Sequence, residues 1–380
     1  MLSCQKDLFD FDEGITYLNG AYMSPLMNRV KEAGLSALIR KSKPWTISPT
    51  SFFDSVDKLK NLVAQLINSD QPDRISIIPS VSYGMANVAK NIHFKKGDHI
   101  VLLDKQFPSN YFIWKTLAEK HELILDIISP PDSNQRGQAW NEFLLNAITP
   151  LTKLVSIEHI HWADGTRFDL KAIREKTLEV GALLVVDGTQ SLGAFPFDQS
   201  IFQVDALIVA GYKSLMGPYS MGVAYYGAAF DSGIPIEENW INKKGSEVFE
   251  KLLDYELEYK PGAARYSMGE QSQLIHVPMQ IAAIEQLLDW NVVEVQSYCK
   301  RLVDSILPVL KDNNIWIEDS EWRANHLFGI RPSHEITYLL KEKLLFNKIY
   351  VSFRSDSIRV SPHVYNTNSD LQKLVSALIE

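Results

Sequence analysis

The chain has 380 residues, of which 46% are hydrophobic and 22% charged, the balance of a globular protein that buries a core. At roughly 150 residues per domain, this length predicts two or three domains. The formal net charge of −8, without a block of like charges, excludes a sequence-independent binder of the phosphate backbone of nucleic acids.

Residues 74–227 alternate short apolar runs with segments of helical periodicity. Several runs are continuously apolar, as in strands that are covered on both faces. The predicted strands are 74–79, 99–104, 123–129, 153–160, 182–189, 206–211 and 222–227, and the predicted helices are 84–92, 110–121, 138–148 and 170–180. This order predicts an α/β fold with a mostly parallel seven-stranded sheet flanked by helices. The last two connections are too short for helices, so we expect one of the last strands to be antiparallel.

A smaller C-terminal unit is predicted to follow. Residues 228–272 are rich in polar residues, Gly and Pro, which is typical of loops. Helices are predicted at 276–290, 293–312, near 334–346 and after the caps Asn368 and Ser369, and strands at 315–318, 326–330, 349–353 and 357–361. We expect residues 16–272 to form a large α/β domain and residues 273–380 a small α+β domain, with residues 1–15 packing nearby.

The hydropathy of the chain and its few potential metal ligands exclude further classes of protein. No apolar run approaches the roughly 18 residues of a membrane-spanning helix, and the acidic start MLSCQKDLFDFDEG lacks the apolar core of a signal peptide. Cys4 and Cys299 make neither a disulfide framework nor a metal cage. His159 and His161 fit a structural pair better than a metal site, since no further ligands complete a set. We expect a cytoplasmic protein with no membrane, nucleic-acid or metal partner.

Polar residues at the carboxyl ends of the predicted strands are the first site candidates, because open α/β sheets bind ligands at that edge. Asp187 ends one strand, Lys213 follows the next, and Phe107 follows the strand 99–104. Ser80 and Ser82 follow the first strand and precede a helix. Taken singly, each has an ordinary structural role as a cap, a rim charge or a core residue.

Together these residues fit one kind of chemistry. A lysine at the mouth of an apolar sheet has a depressed pKa and serves as a Schiff-base amine. A carboxylate such as Asp187 keeps a pyridine nitrogen protonated, so that the ring draws electrons. Ser80 to Ser82 at a helix N-terminus suit a phosphate, and Phe107 offers an aromatic face. These are the parts of a site for pyridoxal 5′-phosphate (PLP).

The chain resembles the class V aminotransferase family within PLP fold type I. Within the family, QFPSN (106–110) and SPHVYN (361–366) resemble the branch that holds isopenicillin-N epimerase-like proteins, kynureninase and the cysteine desulfurase/selenocysteine lyase group. The resemblance covers residues from about 15 to the C-terminus, and the Asp187 and Lys213 motifs stand 213 − 187 = 26 residues apart. The segments that carry it are YLNGAYMSPL (17–26), QFPSN (106–110), DGTQSLGAFPFD (187–198), GYKSLMGPYSMG (211–222), RYSMGE (265–270) and IRVSPHVYNT (358–367).

The resemblance implies a role for each residue that matches a family motif. Lys213 is the Schiff-base lysine, Asp187 the partner of the pyridine nitrogen, and Gln190 the partner of the phenolic oxygen. Phe107 takes the stacking position. The phosphate is held by Ser80, Ser82, the backbone of Val81 and Tyr212. Ala210 departs from the family, in which a Ser or Cys often adds a phosphate contact.

The family also implies a homodimer whose active sites lie between the subunits. Trp240 and the segment Gly269–Ser272 match the elements that cross to the partner, with Ser272 as a cofactor contact. Glu270 departs from the desulfurases, which often have Thr at this position.

The family implies an arginine that binds the carboxylate of the substrate, because a carboxylate is bound best by the planar, permanently charged guanidinium group. Arg354 matches the family arginine best, and Arg359 is the second candidate. Asn19 and Trp162 match substrate-pocket residues. The ligand is expected to be an amino acid or keto acid.

Transamination is the leading hypothesis for the reaction, because the cofactor set is complete and no extra nucleophile is present. Lyase and epimerase reactions use the same residues and stay open. A Cys-persulfide desulfurase is not expected: residues 340–365 contain no Cys, and Cys299 lies in a predicted amphipathic helix. A PLP-binding protein without turnover and a nucleotide-binding α/β protein are further alternatives. No GxGxxG or GxxxxGK[ST] follows a strand, which disfavours the nucleotide-binding alternative.

Overall fold

A central seven-stranded sheet organises the computed structural model, which describes residues 1–133, 135–332, 335–354 and 357–379. The strands are β1 (Thr16–Tyr17), β2 (Ile75–Ile78), β3 (His99–Leu103), β4 (Ile124–Ile128), β5 (Thr152–Glu158), β6 (Leu183–Asp187), β7 (Ala206–Ala210), β8 (Gly222–Tyr226), β9 (Trp316–Ile317), β10 (Phe328–Arg331), β11 (Ile349–Tyr350), β12 (Ser352–Arg354) and β13 (Ser357–Val360). The helices are α1 (Asn28–Lys41), α2 (Asp54–Leu66), α3 (Val81–Lys90), α4 (Phe112–His121), α5 (Arg136–Ala147), α6 (Leu170–Val180), α7 (Gln199–Phe202), α8 (His276–Trp290), α9 (Val292–Asp304), α10 (Leu307–Asp312), α11 (Tyr338–Phe346) and α12 (Asn368–Ile379).

The central sheet has the strand order β2-β8-β7-β6-β5-β3-β4. Strand β8 is antiparallel to both of its neighbours, and every other neighbouring pair is parallel. The structure therefore confirms the predicted mostly parallel sheet and its antiparallel strand. Because β2 and β7 both pair with β8, they run in the same direction, and β2, β3, β5, β6 and β7 all end at one edge.

Alternate side chains of the central strands enter two different cores. In β6, Leu184 and Val186 pack into the core that contains helices α2 and α8, whereas Val185 packs into the core of α3 and α4. All three side chains are fully buried. This explains why the strand is continuously apolar in sequence: both faces of the sheet are covered by helices.

The C-terminal region forms a second sheet. Its four antiparallel strands have the order β12-β13-β10-β9. A separate pairing joins β1 to β11 in parallel, so residues 16–17 lie beside the C-terminal region. The proposed boundary between two domains at residues 272 and 273 stays a prediction.

Several predicted elements have different bounds in the structure. The predicted helix 293–312 is divided into α9 and α10, and Pro308, in the first turn of α10, lacks the N–H that a continuous helix requires. The predicted start near residue 334 lies outside the described residues, and the described helix begins at Tyr338. Helices α1 and α2 were not predicted. Within the described ranges, no helix is both long and apolar enough to cross a bilayer.

Candidate functional site

A cavity of about 330 Å³ opens at the edge where β2, β3, β5, β6 and β7 end. A volume of this order is typical of small-molecule sites. The predicted residues that line it are Ser80, Val81, Ser82, Phe107, Trp162, Asp187, Gln190, Tyr212 and Lys213. Residues far apart in the chain are thus brought to one place by the common direction of these strands.

Lys213 lies in a tight turn after β7. The Gly211 N–H donates to the carbonyl of Met221 at 2.7 Å, and the Gly217 N–H donates to the carbonyl of Gly211 at 2.8 Å. A Cβ on Gly211 would collide with the backbone oxygen of Met221, so the turn closes this tightly only with glycine. The turn holds the Lys213 side chain inward, and the residue is only 6% exposed.

The surroundings of Lys213 make its ammonium easier to deprotonate than that of an ordinary lysine. Burial lowers the pKa of Lys213 to about 8; the Asp187 carboxylate opposes this shift and the Arg359 guanidinium adds to it. The amine nitrogen lies 4.8 Å from the centroid of the Phe107 ring. A buried amine with a pKa near neutral can act as a nucleophile and as a proton carrier at physiological pH.

Asp187, the last residue of β6, is also buried. The Thr189 N–H donates to Asp187 Oδ1 at 3.0 Å, and Thr189 Oγ1 accepts from the Ala210 N–H at 3.1 Å. Burial raises the pKa of Asp187, against the lowering effects of Thr189 and Lys213. Among the described residues no cation lies within ion-pair distance of the Asp187 carboxylate, and a protonated ring nitrogen could supply one at that distance. Thr189 was not assigned from the sequence.

Gln190 follows in the same loop. Its side-chain Nε2 donates to the carbonyl of Ala21 at 3.0 Å. Its own backbone carbonyl lies 2.7 Å from Nε2 of the buried His326. These two contacts fix the residue from opposite ends, and the second N–H of its amide remains for a ligand. His326 is a supporting residue that the sequence did not reveal, because it comes from the C-terminal region.

The N-terminus of α3 lies at the cavity. Ser80 caps the helix by accepting from the Tyr83 N–H at 3.2 Å, and its hydroxyl lies 3.0 Å from that of Ser82. The first N–H groups of a helix have no intrahelical acceptor and favour an anion. On the other side, the Tyr212 ring packs against Tyr219 at 4.6 Å between centroids.

Glu158 accepts hydrogen bonds from the backbone of two aromatic residues that line the cavity, Phe107 and Trp162. Its Oε1 accepts from the Phe107 N–H at 2.6 Å, and its Oε2 accepts from the Trp162 N–H at 2.7 Å. The two rings meet edge to face at 5.5 Å. Burial raises the pKa of Glu158 to about 7, with His161 opposing the shift. The sequence signal for Glu158 was its place at the end of β5, but no role was assigned to it.

Trp240 and Ser272 do not join this cavity. They line a separate one of about 410 Å³, together with Phe52 and Glu270. Ser272 Oγ donates to the carbonyl of Phe52 at 2.7 Å.

The predicted substrate residues lie beside Trp162. Arg359 is 1% exposed, and its two terminal nitrogens donate to the Trp162 carbonyl at 2.9 Å and to Ser352 Oγ at 3.2 Å. Ser352 in turn donates to Asn19 Oδ1 at 2.7 Å. Arg354 lines a third cavity, of about 650 Å³, which Trp162 also lines. Burial lowers the pKa of Arg359 to about 9, and the charge of Arg354 adds to this effect.

The family model described as aminotransferase class-V matches residues 48–314. The uncharacterized aminotransferase YcbU of Bacillus subtilis is 25% identical over 341 residues, which cover 87% of this chain and 85% of that protein. A probable cysteine desulfurase of Pyrococcus abyssi is 31% identical over 199 residues, 52% of this chain and 45% of that protein. The fold is shared with the cystine C–S lyase C-DES, solved with cysteine persulfide, at a TM-score of 0.85 and 20% identity over 96% of this chain and 97% of that one.

Proposed function

The chain belongs to the aminotransferase class-V family, whose enzymes depend on PLP, and from this premise we propose that it is an aminotransferase that acts on an amino acid through Lys213. The family model confirms the resemblance found in the sequence, and with it the cofactor and a transferase or lyase reaction. The proposal is carried by the buried Lys213 amine, which shares its cavity with Asp187 and lies over the Phe107 ring.

The residues of the cavity fit PLP at each of its functional groups. Lys213 offers the amine for its aldehyde, and Asp187 a carboxylate for its ring nitrogen. The N-terminal turn of α3 offers N–H groups for its phosphate, and Phe107 an aromatic face for its ring. When bound, PLP withdraws electrons from the substrate α-carbon and so stabilises negative charge there.

Lys213 is proposed to carry the proton that leaves the substrate α-carbon. Because burial lowers its pKa to about 8, the amine gives up a proton more readily than an ordinary lysine, which suits a group that must both accept and return a proton. Asp187 would pair with the protonated ring nitrogen of PLP, and the Thr189 N–H holds the carboxylate in position. Phe107 and Trp162, whose backbone N–H groups both donate to Glu158, would form apolar walls beside the bound substrate.

We propose Arg359, rather than the first-ranked Arg354, as the ligand of the substrate α-carboxylate. Arg359 is buried, and its two contacts are to neutral oxygens. A buried guanidinium without a carboxylate partner is costly, and a substrate carboxylate would supply that partner. Its charge also lowers the pKa of Lys213 more than the charge of Arg354 does, which supports a position nearer the amine.

A lyase reaction is the second candidate, because Lys213 alone can handle the protons of an elimination. Among the described residues that line the cavity there is no cysteine. Cys299 is fully buried, 3.7 Å from the carbonyl of Pro362, and burial raises the pKa of its thiol. These observations support the prediction that the protein is not a Cys-persulfide desulfurase. Epimerisation would use the same residues with reprotonation at the α-carbon.

A homodimer is proposed for the assembly. Aromatic rings of Phe52, Phe53, Trp240 and Phe249 cluster at 5.6–6.5 Å between centroids. Nearby in the chain, Leu253 and Leu257 are each at least 80% exposed. An exposed apolar surface of this kind marks a protein contact, and light scattering of the purified chain tests it. The cytoplasmic location stays a prediction.

The reaction is tested by mixing the PLP-loaded protein with single amino acids and no keto acid. A transaminase produces one keto acid per active site and then stops, because the amino group stays on the cofactor. Continued release of ammonia, sulfide or alanine contradicts the proposal in favour of a lyase. Solvent deuterium at the α-carbon of recovered amino acid, without a keto acid, contradicts it in favour of an epimerase.

A further inference from the structure

Trp162 lines two cavities at once. One is the cavity of Lys213, and the other is the larger cavity of about 650 Å³ that Arg354 lines. The indole N–H donates to the carbonyl of Lys105 at 2.7 Å. This bond, together with the Glu158 bond to its backbone, fixes the ring as a wall that both cavities share.

The hairpin of β12 and β13 places two arginines on one face. Ser352 is opposite Arg359 in the register, and Arg354 is opposite Ser357. Since side chains two residues apart share a face, Arg354 and Arg359 are diagonal neighbours, a relation that puts side chains about 7 Å apart. The guanidinium carbons lie 4.9 Å and 5.8 Å from the centroid of the Trp162 ring. Both positive charges therefore contact the same indole.

Neither arginine is paired with a carboxylate from the described part of the chain. Arg354 donates to the carbonyl of Phe353 at 2.7 Å, and within the described ranges no carboxylate lies within ion-pair distance of Arg354 or Arg359. The pKa of Arg354 is lowered by burial, so its guanidinium is partly removed from water. Two adjacent guanidinium groups repel each other, and anions bound between or beside them relieve this repulsion.

Other charged residues also line the larger cavity. Arg136 is paired with Asp164, which also lies 3.3 Å from His161 Nδ1. Lys105, Arg331, Asp104 and Asp132 line the cavity as well, and neither of these two carboxylates lies within ion-pair distance of Arg354. Arg354 is thus a half-buried cation, without a carboxylate partner in the described part of the chain, at the wall that separates this cavity from Lys213.

We propose that Arg354 binds an anionic group at the end of the substrate side chain, so that the enzyme acts on a dicarboxylic amino acid of the aspartate or glutamate type. Arg359 then holds the α-carboxylate near Lys213, and the side chain extends past Trp162 toward the larger cavity. The inference rests on the proposed function, because the α-amine of the substrate must reach the cofactor at Lys213.

The test compares L-aspartate with L-asparagine, which differ in charge but hardly in shape. Binding of each to the PLP-loaded protein is measured by calorimetry and by the change in cofactor absorbance, in wild type, Arg354→Gln and the control Lys341→Gln. Lys341 is exposed, lies over the Phe353 ring at 5.1 Å and does not line the cavity. Wild type and the control should prefer aspartate by about tenfold to a hundredfold, the range of a charge-assisted hydrogen bond. Arg354→Gln should bring the ratio to within about threefold of one.

Three results would overturn the inference. Equal binding of aspartate and asparagine by wild type would show that the enzyme has no preference for an acidic side chain. An unchanged preference in Arg354→Gln would show that Arg354 does not cause the preference. Equal weakening of both ligands in Arg354→Gln assigns Arg354 to the α-carboxylate instead. The cofactor absorbance separates this inference from the proposed function: a protein that takes up no PLP contradicts both, whereas a loaded protein without acidic preference contradicts the inference alone.

Discussion

Replacement of Lys213 by methionine should stabilise the cofactor-free protein at neutral pH. Methionine has similar length and no charge, so the change removes the buried ammonium and keeps most of the packing. Lowering the pKa of an amine from 10.5 to about 8 costs the folded protein about 3 kcal/mol wherever the amine is protonated. At pH 7 this whole cost is present in wild type and absent from Lys213→Met.

The sign of the pH dependence follows from proton binding. Between pH 8 and 10.5 the unfolded chain holds a proton on Lys213 that the folded chain has lost, so wild type gains stability as the pH rises. The advantage of Lys213→Met should therefore shrink by about 2 kcal/mol between pH 7 and pH 10. Urea unfolding of the cofactor-free proteins at both pH values measures this, with Lys341→Met, at an exposed lysine, as the control that shows no such change. A variant less stable than wild type at pH 7, or an advantage that does not depend on pH, would refute the reasoning.

Three further predictions concern the cavity and the thiols. Glu158→Gln should weaken PLP binding about tenfold and shift the tryptophan fluorescence, because an amide leaves one of the Phe107 and Trp162 N–H groups without an acceptor. Glu318→Gln alters a buried carboxylate that accepts from the Gly137 N–H and does not line the cavity of Lys213, so it should leave both unchanged. Asp187→Asn should keep the thermal midpoint but lower turnover by at least about a hundredfold, since the ring nitrogen loses its charged partner; turnover near that of wild type would contradict the role of Asp187. In the native protein the Cys4 thiol should react with a thiol reagent, and the Cys299 thiol should react only after unfolding. The turnover rate of Cys299→Ala should be within about twofold of that of wild type. Rapid titration of both thiols in the native protein would show that Cys299 is accessible.

The central sheet could be predicted from the sequence because each of its strands contains a local run of apolar residues. Strands such as β6 are uninterrupted apolar runs, and the carboxyl edge of a parallel sheet fixes where Asp187 and Lys213 must meet. Helices α1 and α2 were missed: α1 buries only Val30, Gly34 and Ala37, so its apolar stripe is narrow, and α2 has no side-chain cap at its start. The break between α9 and α10 depends on Pro308, whose effect a periodicity argument overlooks.

The supporting contacts of the site could not be read from the sequence. Glu158 gains its role from two backbone N–H groups that lie 51 residues before it and 4 residues after it. His326 reaches the loop of Gln190 across 136 residues. The ranking of Arg354 above Arg359 came from motif similarity, whereas the hairpin register places both arginines on one face beside Trp162. Such contacts depend on how distant segments pack, which no local pattern encodes.

The most direct test of the central claim is the site at which the cofactor attaches. The purified protein is incubated with PLP, reduced with sodium borohydride, digested and analysed by peptide mass spectrometry. The account predicts a pyridoxyl phosphate group on Lys213, a visible absorption band before reduction, and loss of both in Lys213→Met. A label on another lysine in place of Lys213, or no label at all, would contradict the account.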